Sequence, residues 1–268
     1  MRMIIILAVA VCSIACNGRD TTSPPTIGVA LYSFNQFSLE ETLEKAKQCG
    51  VRHVEGFSFH QLGGRFGEKT FATLSDEELS GVRSLLEERD LHMVSMYADG
   101  RTSDEWEVLF EKGERMGLEF LVGEPEPHLW DELDKLATQY RMKLAIHQHA
   151  KGQSRFWHPD SVLVALEKHK NFVACGDIGH WVRSGLDPVE CLRKLEGHLV
   201  SIHAKDLDSF GNVDAADVNI GQGVIDYGAV FTELKRQGFD GHVFVECEHN
   251  WDNNFGDVKE AVQFLNRF

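Results

Sequence analysis

From residue 27 to the C-terminus, short apolar runs alternate with amphipathic stretches of helical period. The runs 27–32, 51–57, 91–97, 118–122, 142–149, 171–178, 198–204 and 242–247 have the length and residue types of buried strands. Between them, 39–49, 76–89, 104–116, 129–140, 159–169, 188–195 and 227–237 repeat apolar residues every three or four positions, and 258–268 closes the chain the same way. Gly50 and Gly117 stop two of these helices, and Pro159 and Pro188 open two others, the asymmetry expected of helix ends. Eight strand–helix units of about thirty residues predict an α/β fold, and this number in this length favours a closed (β/α)8 TIM barrel over an open sheet. No G-x-G-x-x-G follows the first strand and no G-x-x-x-x-G-K-[ST] occurs, so nucleotide-binding readings lack their fingerprint.

The first 26 residues follow another rule. A basic start at Arg2 precedes an apolar run from Ile4 to Val11, too short to span a bilayer but long enough for a signal-peptide core. Ser13-Ile14-Ala15-Cys16 resembles a bacterial lipobox, with Cys16 as the lipidated residue. Residues 1–15 are therefore expected to be a signal peptide, 16–26 a polar tether with a Pro-Pro pair, and 27–268 the catalytic barrel. The expected location is exported, as a membrane-tethered lipoprotein or in the periplasm. The remaining cysteines, Cys49, Cys175, Cys191 and Cys247, form no C-x-x-C pair and read as buried thiols.

Charge narrows the partners. A formal net charge of −15 repels nucleic-acid phosphates, so no nucleic acid is expected, and membrane contact only through the lipid anchor. A small-molecule carbohydrate is the expected partner, and a homo-oligomer is compatible with all of this.

The chemistry lies where the strands end. Strand five finishes in His147-Gln148-His149, strand six in Asp177-Ile178-Gly179-His180, strand seven in His203-Ala204-Lys205-Asp206, and strand eight in Glu246-Cys247-Glu248-His249. Active sites of such barrels form at these C-terminal ends. One histidine there is ordinarily a satisfied polar residue, and a lone aspartate before a helix is ordinarily an N-cap. Four consecutive strands ending this way exceed what capping explains. Mixed nitrogen and oxygen donors without thiolate suit one divalent metal ion: Mn, Co, Zn, Fe or Mg.

The motifs D-x-G-H at Asp177 to His180, H-x-K-D at His203 to Asp206, Gly221-Gln222-Gly223 with Ile225-Asp226, and E-x-E at Glu246 to Glu248 carry a resemblance. So does the opening Leu31-Tyr32-Ser33-Phe34. From about residue 27 onward the chain resembles the xylose isomerase-like barrel superfamily, the sugar phosphate isomerase/epimerase and endonuclease IV group. The resemblance implies one metal held by His147, Asp177, His203 and Glu246. The family's epimerases place a glutamate at the end of strand five, where this chain has His147 within an H-x-H; His149 is the alternative ligand there. Glu124 is a candidate substitute for the missing carboxylate, weighed against a solvated loop residue.

Such a site implies an isomerase/epimerase-type enzyme that removes a proton next to a carbonyl of a sugar or keto-sugar, with cleavage of 3-keto-glycosides through an enediolate as one variant. His149 and Glu248 are the candidate bases, and Lys205 a donor to the developing oxyanion or else a salt-bridge partner of Asp206 or Asp177. His180 is a candidate contact to substrate or to the residues around the metal, and Trp157 and Trp181 are candidate substrate contacts or else core or lid packing. The alternative is a non-catalytic sugar-binding lipoprotein that kept the barrel. A nuclease is opposed by the acidic charge and by the lack of the further D-x-H ligands.

Overall fold

The computed structural model describes residues 24–268, so the expected leader and Cys16 lie outside the described residues. Side-chain caps set the helix starts. Ser38 with Glu41 and Ser75 with Glu78 form reciprocal capping boxes at α1 (Leu39–Gln48) and α2 (Asp76–Glu87). Thr102 caps α3 (Ser103–Met116), which ends at Gly117 in the left-handed region with φ 75°. α4 (Trp130–Gln139), α5 (Pro159–Leu166), α7 (Pro188–Lys194), α8 (Tyr227–Gln237) and α9 (Phe255–Leu265) complete the outer layer. A short α6 (Ile178–Arg183) intervenes directly after a strand, where the periodicity predicted none.

The barrel strands are β1 (Thr26–Ala30), β2 (His53–Phe57), β3 (His92–Tyr97), β4 (Phe120–Gly123), β5 (Lys143–Ile146), β6 (Phe172–Asp177), β7 (Leu199–Ala204) and β10 (His242–Val245). They close in the order β1-β10-β7-β6-β5-β4-β3-β2, with every pairing parallel. A two-stranded ribbon, β8 (Asp206–Leu207) with β9 (Asp217–Val218), sits on the loop after β7. Strand–helix alternation into a closed parallel barrel is thus as the hydrophobic pattern predicted. Among the described residues, no helix is long and apolar enough to cross a membrane. Cys49, Cys175, Cys191 and Cys247 are free and buried.

Strands five and eight are shorter than their apolar runs. β5 stops at Ile146 and β10 at Val245, yet one further backbone bond continues each ladder. The His147 N–H donates to the Gly123 carbonyl at 3.0 Å, and the Glu246 N–H to that of Ala204 at 3.0 Å. Both side chains therefore leave the sheet from a fixed backbone. At the seam between first and last strands, the Ser33 hydroxyl accepts the Cys247 N–H at 2.9 Å.

The H-x-K-D and G-Q-G motifs explain each other. The buried Asp206 carboxylate accepts backbone N–H bonds from Leu207 and Ile225 on Oδ1 (2.9 and 3.1 Å) and from Gly221 and Gly223 on Oδ2 (2.9 and 3.0 Å). A Cβ on Gly223 would lie 2.3 Å from Asp206 Oδ1, so only glycine lets the loop wrap this close. Asp206→Ala leaves four amides, those of Leu207 and Ile225 buried, without their charged acceptor and is expected to cost about 3 kcal/mol. A clear fall in urea midpoint measures it; an unchanged midpoint would show that the loop finds other acceptors.

Candidate active site and metal centre

Inward-facing residues alternate along the strands, and their upper ends converge. Asp177 and His203 are register partners on β6 and β7. Both are fully buried. Asp177 serves two purposes: Oδ1 accepts the His180 N–H at 2.8 Å and caps α6, while Oδ2 faces the barrel axis. That oxygen lies 3.5 Å from His147 Nε2, 3.8 Å from His203 Nδ1 and 3.1 Å from Lys205 Nζ. His147 Nε2 and His203 Nδ1 stand 3.2 Å apart, and Glu246 Oε2 is 2.8 Å from His203 Nδ1.

Four donor atoms from four consecutive strand ends thus share one small space. Ligands bound at about 2.0–2.2 Å to one cation are themselves about 3–3.5 Å apart, close to these separations. Asp177 Oδ2 and Glu246 Oε2 are buried without a hydrogen-bond partner of good geometry. His147, Asp177 and His203 also form a compact group of metal-competent atoms. This donor set fits a divalent ion.

Behind His147 stands Glu124, which the sequence left as a candidate substitute or a solvated loop residue. The structure buries most of it. Its Oε1 accepts from His147 Nδ1 at 3.0 Å and also from His149 Nδ1, and its Oε2 accepts from the Ser154 hydroxyl. The proton on His147 Nδ1 leaves Nε2 as the ligating atom. His149 is turned to Glu124 instead, its ring 4.7 Å from that of His180. Of the two histidines, His147 is therefore the one beside Asp177 and His203.

A further carboxylate was not anticipated. Glu55, fully buried at mid-β2, accepts from His203 Nε2 at 2.7 Å and from the Ser95 hydroxyl at 2.7 Å. Its signal in the sequence is a charge inside the apolar run His53-Val54-Glu55-Gly56-Phe57.

Electrostatics follow from packing. Burial opposes charge on Asp177, but Lys205, His180 and His147 hold its pKa well below the usual carboxylate range. Burial likewise opposes charge on His147, and hydrogen bonds to Asp177 and Glu124 outweigh it, raising the pKa to about 9. Lys205 is buried, and Asp177, Glu246 and Glu248 overcome its desolvation to raise its pKa. Its Nζ lies 3.1, 3.0 and 3.1 Å from those carboxylates. The contact with Glu248 is a hydrogen bond, and those with Asp177 and Glu246 are ion pairs. Of the alternatives for Lys205, the salt bridge to Asp177 is realised and the one to Asp206 is not. Glu248 differs from Asp177: burial raises its pKa, Lys205 opposes this, and the nearby Glu246 and Asp177 charges add to the rise.

A cavity of about 290 Å³ opens over this cluster, lined by His147, His149, Lys205, Glu246 and Glu248 on its polar side. Its other side is aromatic, with Tyr32, Phe57, Phe59 and Tyr97. The two tryptophans expected to contact substrate are elsewhere. Trp181 is fully buried in α6 and donates its indole N–H to Gln148 Oε1 at 2.6 Å, so it is core. Trp157 lies half-buried beneath Lys151 Nζ, 5.0 Å from its ring centre, and is not part of the cavity wall. His180 is also behind the wall, buried, with Nε2 3.4 Å from Lys205 Nζ. It stands against the lysine and does not line the cavity.

A barrel with this cluster at its upper end defines a class, and the comparisons agree. The xylose isomerase-like TIM barrel family model matches residues 128–268, more than half the chain, and the chain belongs to that family. It is 25% identical over 137 residues to an inosose dehydratase of Clostridium botulinum. That match covers 46% of each chain, about half the length of the curated relative. A crystal structure of an uncharacterized protein from Parabacteroides distasonis is 30% identical, with TM-score 0.71, covering 91% of this chain and 98% of that one. A xylose isomerase-like TIM barrel protein from Mycobacterium smegmatis, solved in complex with magnesium, shares the fold at 14% identity with TM-score 0.70, covering 90% and 95%.

Manganese binding tests the centre. After chelation, calorimetric titration with Mn²⁺ is expected to show binding that Asp177→Asn abolishes and Glu124→Gln weakens about 10- to 100-fold. Equal affinity in all three proteins would move the metal, if any, away from this cluster.

Proposed function

We propose that the chain is a divalent-metal-dependent enzyme that eliminates an oxygen substituent from a small keto-carbohydrate. It would take the proton on the carbon next to the carbonyl and expel the oxygen from the adjoining carbon. His147, Asp177, His203 and Glu246 would hold the ion, whose chemistry when bound is Lewis-acid polarisation of a substrate oxygen. The carrying observation is that one cavity sets the His149 imidazole and the Glu248 carboxyl, whose pKa burial raises, on the same polar wall. His149 commits Nδ1–H to Glu124, which leaves the Nε2 lone pair facing outward. Burial raises the pKa of Glu248, which favours its protonated form and suits it to giving a proton.

In the balanced step the C–H pair becomes the new C=C bond, His149 receives the proton, and the C–O bond breaks. The leaving oxygen takes a proton from Glu248 and departs as water or an alcohol. Lys205, fixed by its carboxylates, holds Glu248 in place. A two-glutamate epimerisation is less well served, because the strand-five position is His147. The similarity to an inosose dehydratase supports elimination, within the limit that it spans half of each chain.

With Mn²⁺ in D₂O, a keto-cyclitol and a 3-keto-glycoside should each lose water or aglycone by NMR. Glu248→Gln and His149→Gln should each lower kcat by about 10²- to 10⁴-fold with Mn²⁺ binding retained. Deuterium exchange without C–O cleavage would instead identify an isomerase or epimerase. Bound sugar with neither reaction would identify a binding protein.

We also propose that the enzyme works outside the cytoplasm as a lipoprotein. The support is the leader read from residues 1–16. Export favours unphosphorylated substrates, since sugar phosphates are made inside the cell. Cys16→Ala is expected to abolish lipid labelling and shift the protein from the membrane fraction to the soluble one; an unchanged distribution would reject the anchor.

A further inference from the structure

The opposite mouth of the barrel carries a second cluster of metal-competent side chains. His53, His92 and His242 are the first residues of β2, β3 and β10. Their strand ends bring three imidazoles to one rim. His53 and His92 are register partners, with ring centres 5.9 Å apart, and the His53 ring lies 5.5 Å from that of His242. Glu119, just before β4, places Oε2 3.8 Å from His242 Nε2. His242 Nδ1 is buried and has no hydrogen-bond partner.

These separations are informative. Two imidazoles on one tetrahedral ion at about 2.0–2.1 Å put their ring centres about 5 Å apart. His53 is within 1 Å of that spacing from both neighbours and so can bridge to either, and binding of all three at one ion needs His92 and His242 to rotate toward it. Burial first, and the neighbouring imidazoles second, lower the pKa of His53; burial also lowers that of His242. Their lone pairs are then available near neutral pH. The rim faces a cavity of about 590 Å³ that His53, His92 and Glu119 help to line, so an ion can enter from solvent. Above it, Phe244 stacks on His242 at 5.6 Å and packs with Ala30, Phe57 and Val94, which walls the rim off from the upper site.

We propose that this rim is a second cation site, in which His53, His92 and His242 with Glu119 bind an imidazole-preferring divalent ion such as zinc, nickel or copper(II). Three nitrogens and one carboxylate select these over magnesium or calcium. The bound ion would tie together the starts of three strands from non-adjacent stretches of the chain. The inference is independent of the reaction at the upper end.

Zinc alone is the probe. Equilibrium dialysis of the full chain should show about one more zinc bound than in His53→Gln/His92→Gln, and zinc should raise the Tm of the parent more than that of the double variant. Turnover and Mn²⁺ binding should be the same in both. His92→Gln alone changes only an exposed rim side chain, so it should fold normally and bind zinc at this site at least tenfold more weakly. Equal zinc stoichiometry and equal thermal response in all three proteins would overturn the proposal, as would binding of magnesium as tight as zinc at the rim.

Discussion

Asp177 Oδ2 is the point about which the upper barrel is organised. A carboxylate with no exposure must be compensated or it takes up a proton. Here the compensation comes from Lys205 and His147, drawn from two other strand ends, and from His180 of the helix that Asp177 caps. Lys205 in turn needs room to reach it. A Cβ at position 179 would lie 2.9 Å from the Lys205 Cβ, so the glycine of D-x-G-H is what admits the lysine of H-x-K-D. The two motifs are halves of one ion pair. Removing either partner strands a buried charge, typically worth about 3–5 kcal/mol.

The orientation of His147 depends on a similar convergence. Glu124 holds its Nδ1 from outside, and the Tyr97 ring stands against it at 5.2 Å and 73°. With both constrained, Nε2 has one direction left, toward Asp177 and His203. His149 has its own partner in the same carboxylate and is free on its far edge. Two residues of one H-x-H thus take different positions by how each meets Glu124: His147 beside Asp177 and His203, and His149 beside His180. The aromatic wall of Tyr32, Phe57 and Tyr97 completes the division of the cavity: hydroxyls and a carbonyl can be met on the polar side, and the apolar face of a ring on the other.

Much of this was legible because period and length are local properties. Eight alternating runs gave the barrel, and the strand ends gave Asp177, His203, Lys205 and Glu246 as a group. What was not legible depended on contacts between distant segments. Glu55 lies about 150 positions before His203 yet is its direct partner, and only a charge within an apolar strand hinted at it. Glu124 sits in a Gly-Glu-Pro loop that looks solvated until β5 delivers two histidines to it. Trp181 was misplaced because the residues after Asp177 form a short helix instead of an open loop. That helix turns the indole inward onto Gln148 and against Gly176, where a Cβ would lie 2.5 Å from the ring. The aromatic wall draws single residues from three separate units, so no run of sequence displays it.

The histidine at the end of strand five also alters the charge on which catalysis would act. Asp177 and Glu246 contribute two negative charges to the donor set, and His147 and His203 contribute none when they ligate as neutral imidazoles. A divalent ion then leaves the set neutral. A glutamate in place of His147 would leave the set net negative, which opposes the anion formed when a proton leaves the carbon beside a carbonyl. In a buried site that difference is felt at low effective dielectric. The substitution therefore gives up one acid/base carboxylate and in return makes the pocket better suited to an anionic intermediate. In the proposed enzyme, that exchange would favour a reaction in which the anion expels a neighbouring oxygen over one in which a second glutamate must return the proton to the opposite face.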